Sequence, residues 1–229
     1  MNAITIKLLD INPPNTTHII INCKNIIGVL DLEKYPKLKL LNCSGNKITQ
    51  IINCLTELTT IYCNHNKLNR LDNLPNSLIY LNCDNNNLSS DAFNNLPQGL
   101  ITLSCSKNNI INLNNLPTTL KILFCDFNKI TSLDNLPSSI VYLSVNDNLI
   151  TKLEDLPFGL KKLSCKNNKL TSLNNLPTTL EIVEIDDIML SKNTSDIKAK
   201  MLYHNKSRHS IPIFLARKKV KKTNQINLN

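Results

Sequence analysis

The 229-residue chain has no Trp, only 4 Gly, and 10 aromatics in all, 5 Tyr and 5 Phe. A core built on aromatic packing is therefore excluded. So few glycines leave no Gly-rich phosphate loop, and neither GxSxG nor HExxH occurs. No uncharged apolar run approaches the roughly 18 residues of a membrane helix, and the start MNAITIKLLDINPPN has no basic stretch leading into an apolar one. These absences predict a soluble protein inside the cell, cytoplasmic or nuclear, with no membrane partner. What the chain does have is 38 Leu, 27 Ile and 37 Asn. With 41% hydrophobic and 19% charged residues it is not a disordered tail or a highly charged coiled coil. The excess of Asn, Ile and Lys also fits an AT-rich source.

The 8 Cys might suggest a disulfide framework until their positions are read. Leaving out Cys54, they stand at Cys23, Cys43, Cys63, Cys83, Cys105, Cys125 and Cys165, with separations of 20, 20, 20, 22, 20 and 40. That is a repeat period, not a bridge or ligand spacing. Aligning on it recovers a unit, seen in LFCDFNKITSLDNLPSSI from Leu123 and LSCKNNKLTSLNNLPTTL from Leu163. The first strand position also falls at Ile21, Leu41, Ile61, Leu81, Leu103, Leu143 and Val183, and Val145 and Ile185 take the cysteine position where Cys is absent. Branched aliphatics replace a buried hydrophobe but not a nucleophile or metal ligand. No CxxC pair occurs, so neither zinc nor any other cofactor is expected.

Alternation across each Leu-x-Cys places Leu and Cys on the buried side of a short strand and the residues between them outside. Three residues after the cysteine position stands an Asn: Asn46, Asn66, Asn86, Asn108, Asn128, Asn148 and Asn168. An inward amide there can satisfy backbone groups that the strand ladder no longer pairs, so an internal asparagine ladder is predicted. An NLP or DLP step follows, ending at Pro75, Pro97, Pro117, Pro137, Pro157 and Pro177. Proline fixes φ and removes a donor, which predicts an extended or polyproline-like return.

These units resemble leucine-rich repeats, in particular the short LPxxLxxLxCxxNxL type of bacterial effectors and large DNA viruses. The resemblance covers residues 17–188. It implies a right-handed repeat solenoid, α/β by convention but mostly β, with a parallel concave sheet and a largely non-helical convex side. It also suggests a viral or similarly AT-rich source. Residues 1–16 are expected to cap the first coil, 189–216 to cap the last, and 217–229 to form a basic disordered tail. Ile26 and Ile188 stand where the first and last units lack the Asn, as terminal repeats must differ. In the unit from Leu81, SSDAFNNLP replaces TSLNNLP, predicting a short helical turn over 89–93 with Phe93 in place of Leu.

Function is expected on the concave face, the usual binding surface of such repeats, through a protein partner of a monomeric scaffold. Candidate contacts are Tyr62, His65, Tyr80, Lys107, Phe124, Asp126, Phe127 and Tyr142; half of the chain's aromatics fall here. Solvent-facing aromatics suit anchoring, though lateral packing against one another is the competing reading. A second reading starts from charge. Residues 186–229 hold 10 Lys and Arg against 3 Asp, whereas residues 1–185 hold 16 against 14 acids. Arg217, Lys218, Lys219, Lys221 and Lys222 form a cluster suited to nucleic acid or anionic surfaces, or simply to solvation. An enzyme is not expected. Effectors with similar repeats can carry a C-terminal ubiquitin-ligase domain, but here the last Cys is Cys165, within the repeats.

Overall fold

The structure is a computed structural model that describes residues 5–7, 13–54, 57–173 and 176–186. The expected capping segment 189–216, the tail 217–229 and Ile188 lie outside the described residues. Nine three-residue strands form one all-parallel sheet: β2 (His18–Ile20), β4 (Leu40–Asn42), β6 (Thr60–Tyr62), β7 (Tyr80–Asn82), β8 (Thr102–Ser104), β9 (Ile122–Phe124), β10 (Tyr142–Ser144), β11 (Lys162–Ser164) and β12 (Ile182–Glu184). Each strand pairs with the strand of the next coil, so the chain climbs the sheet one coil at a time. Leu41, Ile61, Leu81, Leu103, Leu123, Leu143, Leu163 and Val183 stand in one register on its buried side.

Three residues are too short to hold a strand by propensity alone, and burial does the work. Leu81, Leu103, Leu123 and Leu143 have 0% exposure, as do Cys83, Cys105, Cys125 and Val145 two residues on. The thiols add a weak bond, since Cys83 Sγ donates to Ser104 O at 3.2 Å and Cys125 Sγ to Ser144 O at 3.4 Å. The asparagine ladder is formed throughout. Asn128 Nδ2 donates to Cys105 O and Cys125 O at 3.1 Å, and its Oδ1 accepts Ile110 N–H at 3.1 Å. The amide thereby ties its own coil to the one before, and the other ladder asparagines repeat the pattern.

The first coil departs from the sequence register. Ile19, not Ile21, pairs with Leu41, so that coil spans 22 residues and Ile21 occupies the cysteine position. Cys23 is exposed at φ 57°, beside Gly45 at φ 68°, where an added Cβ would lie 2.7 Å from Cys23 Sγ. The separation of 20 between Cys23 and Cys43 is thus a coincidence. Ile26 is likewise not at the Asn position: its N–H donates to Asn46 Oδ1 just as Ile48 N–H donates to Asn66 Oδ1. The register follows the apolar alternation of HII over 18–20 rather than the thiol.

The returns also differ from a plain extended run. From the third coil on, each proline carbonyl accepts the N–H of the Leu or Ile three residues later, as in Leu120 N to Pro117 O at 3.0 Å and Ile140 N to Pro137 O at 3.1 Å. Asn73, Asn115, Asn135 and Asp155, at the head of the NLP or DLP step, are left-handed, which Asn and Asp tolerate best. The first coils lack this step. There β1 (Thr5–Lys7), β3 (Ile27–Asp31) and β5 (Lys47–Ile52) form a second parallel sheet on the opposite side of the solenoid, with a register shift between Gly28 and Val29. The β-branched runs IGVLD and KITQII suit a ladder that proline would interrupt. In the unit from Leu81 a single-turn 3-10 helix, Ser90–Phe93, takes the insertion, and Phe93 is fully buried. No helix among the described residues is long and apolar enough to cross a membrane.

Candidate binding face of the sheet

The outward side of the nine strands carries the residues that differ from coil to coil. Tyr62 ends β6 and Tyr80 opens β7, and their rings pack at a centroid distance of 5.0 Å, tilted by 43°. Phe124 and Tyr142 repeat the arrangement between β9 and β10, again at 5.0 Å. The aromatics therefore pack in two lateral pairs, and all four rings are half-buried. Burial pushes the Tyr80 and Tyr142 hydroxyls up to about 12, so both are neutral donors at any ordinary pH.

Beyond the cysteine position the chain makes a left-handed step in coil after coil: His65, Asn85, Lys107, Phe127, Asp147 and Asn167 lie between φ 52° and 56°. Asn and Asp enter this region most readily, whereas a bulky side chain there is uncommon. Phe127 does so at 51% exposure, with Lys107 Nζ 5.3 Å from its ring centroid. His65 Nδ1 meets Asn85 Nδ2 at 2.6 Å. His65, Lys107 and Phe127 thus line the rim where strands end, apart from the paired aromatics on the strands themselves. His18, outside the regular coils by sequence, opens β2.

Asp126 is held within the sheet surface. Its carboxylate accepts Ser144 Oγ–H and Asn146 N–H, both at 2.7 Å. Asp84 does the same two coils earlier, accepting Ser104 Oγ–H at 2.8 Å and Ser106 N–H at 2.7 Å. Partial burial raises the pKa of both carboxyls, while these donors act in the opposite direction. Sequence reading missed Asp84 as a site residue and missed the left-handed column. The signal was present, because Gly, His, Asn and Asp recur two residues after the cysteine position at Gly45, His65, Asn85 and Asp147. Arg217, Lys218, Lys219, Lys221 and Lys222 fall outside the described residues.

The column thiols offer little nucleophilic chemistry. Burial raises Cys43 and Cys165 to about 12 and drives Cys63, Cys83 and Cys105 well above their ordinary value. Cys54, on a return segment, is also raised to about 12 by burial.

No family model matches the sequence, and no curated protein matches it. Solved structures do. The Shigella effector leucine-rich-repeat domain superposes with a TM-score of 0.61 at 25% identity, over 75% of this chain and 82% of that one. YopM from Yersinia enterocolitica WA-314 gives 0.55 at 28% identity, over 69% of this chain and 39% of that one. The functional domain of InlJ from Listeria monocytogenes, described as including a cysteine ladder, gives 0.53 at 29% identity over 74% and 48%. This chain thus spans less than half the length of the YopM and InlJ chains it resembles. The parallel sheet, the near-absence of helix among the described residues and these likenesses together give the protein the fold of a leucine-rich-repeat solenoid.

Proposed function

We propose that this protein is a non-enzymatic scaffold that binds a protein partner on the outward, concave face of its nine-stranded sheet. Protein binding is the general role of leucine-rich-repeat proteins, and the concave location, the residues and the partner belong to this proposal. The observation that carries it is the two aromatic pairs, Tyr62 with Tyr80 and Phe124 with Tyr142, set on a sheet whose opposite side is locked by the leucine, cysteine and asparagine columns. Aromatic rings pre-ordered by a rigid support bury area in a complex at little further entropic cost. Phe127, held at the rim with Lys107 beside it, extends the same surface. The free thiols of the cysteine column suit a reducing compartment, and we place the binding inside a cell.

The test is the triple substitution Tyr80→Ala, Phe124→Ala and Tyr142→Ala, compared with the unaltered chain in affinity capture followed by mass spectrometry. The expected result is loss of a specifically captured protein with the cooperative thermal transition retained. Capture of the same protein by both chains would overturn the reading.

A further inference from the structure

The sheet face has two chemically distinct halves. Toward the strand starts it is apolar, with Ile79, Tyr80, Ile101, Ile122 and Tyr142 half-buried or exposed, Ile79 at 51%, and Phe124 at the end of β9 packs against Tyr142. Toward the strand ends and just past them runs a margin with an acidic excess, Asp84, Asp126, Asp147, Glu184 and Asp186 against Lys107 and Lys166. At two of these positions the hydrogen bonding does not require charge. Asn146 makes the same pair of contacts as Asp84 and Asp126, its Oδ1 accepting Ser164 Oγ–H at 2.9 Å and Lys166 N–H at 2.7 Å. An amide therefore serves this position, yet two coils carry carboxylates whose charged form burial disfavours.

The sequence holds a complementary segment. After Asp186 the chain continues for 43 residues with 10 Lys and Arg against 2 Asp. Within it the apolar block Ile211, Pro212, Ile213, Phe214 and Leu215 directly precedes the basic block from Arg217 to Lys222. Apolar beside basic matches apolar beside acidic. Reach is sufficient: the 24 residues between Asp186 and Ile211 cover at least ~36 Å even at the helical rise, against ~24 Å for the five strand spacings from β12 to β7.

We propose that residues 211–222 of this chain dock on its own sheet face, the apolar block against the band from Tyr80 to Tyr142 and the basic block against Asp84 and Asp126. The chain then covers its binding surface until a partner displaces the segment. This rests on the face being the binding surface, as proposed above.

The absence of Trp makes the test direct, because Phe214→Trp in the full chain gives a single indole at the segment. The expected result is blue-shifted emission and quenching by acrylamide several-fold weaker than for free N-acetyltryptophanamide, both independent of protein concentration. Adding Asp84→Asn and Asp126→Asn, which keep the Ser and N–H contacts, should restore much of the quenching. Adding Tyr80→Ala, Phe124→Ala and Tyr142→Ala should restore nearly all of it. Full quenching in the unaltered background would overturn the proposal. So would protection that neither set of face substitutions changes, or protection that grows with concentration. Failure here leaves the binding face intact if the triple alanine chain still loses its captured protein. A protected indole released by the face substitutions, in a chain whose capture they do not alter, would instead remove the partner and keep the docked segment.

Discussion

The two sides of the same nine strands obey different rules. On the inner side nearly every coil repeats one solution: Leu or a branched aliphatic, then Cys or its aliphatic substitute, then Asn turned inward. On the outer side no column is uniform, and the position ending each strand reads Ile20, Asn42, Tyr62, Asn82, Ser104, Phe124, Ser144, Ser164 and Glu184. The inner residues are constrained by neighbours above and below, so a misfit in one coil is felt in two others. The outer residues have lateral neighbours only. The lesson is that stability and specificity are carried by adjacent residues facing opposite ways, and substitutions a few positions apart should separate the two.

The sharpest separation is between Asn66 and Asn64, same residue type and same coil. Asn66 Nδ2 donates to Cys43 O and Cys63 O at 3.0 Å, and its Oδ1 accepts Ile48 N–H at 2.9 Å. Asn66→Ala would leave the buried Ile48 N–H without its partner and would take one of two donors from Cys43 O and Cys63 O, which keep Asn46 Nδ2 and Asn86 Nδ2, for a total of roughly 2–4 kcal/mol. Asn64, on the outward side, should change stability by no more than about 0.5 kcal/mol when replaced by Ala. Urea unfolding of the two variants checks the difference, and equal midpoints would dissolve the distinction between the faces.

A smaller effect is expected in the cysteine column. Val145 already stands at the cysteine position with 0% exposure, and Cys125 lies directly before it in the column with the same burial. Cys125→Val should therefore cost less than about 1.5 kcal/mol, the range of volume-conserving core exchanges. Retained fold in that variant, measured by thermal unfolding, would show that the column needs size and burial rather than sulfur. A loss as large as that expected for Asn66→Ala would show instead that the thiol-to-carbonyl contacts are essential.

How much of this was legible in the sequence depends on the same division. The inner lattice was legible because it is periodic: the Leu register, the aliphatic replacements at Val145 and Ile185 and the asparagine ladder all follow from spacing and the need to satisfy buried backbone groups. The first coil was misread because thiol spacing and apolar alternation disagree there, and burial of Ile19 decided the register. The second sheet of β1, β3 and β5 was missed because it depends on what the first returns lack, a left-handed Asn followed by proline. On the outer face the positions could be named but not their contacts. Which aromatics pair, and that Asp84 and Asp126 accept from serines of the following coil, depends on sheet register between coils that are not periodic in those side chains.

The smallest predicted effect bears most directly on the outer face. Asp84 has its carboxyl pKa raised chiefly by burial, with the Asp126 charge adding and the Ser104, Ser106 and His65 neighbours opposing; Asp126 is raised in the same way, with Asp147 adding. A carboxyl whose folded pKa exceeds its unfolded value binds protons more tightly when folded. Between those two values stability falls as pH rises, and the deficit is complete once pH exceeds the folded value. Both groups remain partly solvated, so the deficit is small. The double substitution Asp84→Asn and Asp126→Asn should leave stability at neutral pH unchanged or slightly higher, and should flatten its mild-acid pH dependence. Thermal unfolding across that range makes the measurement. If the double variant is instead markedly less stable at neutral pH, the carboxylates are structural and their charge serves the fold; if it is not, the charge is held on the face at a cost, and a basic ligand is the chemistry that would recover it.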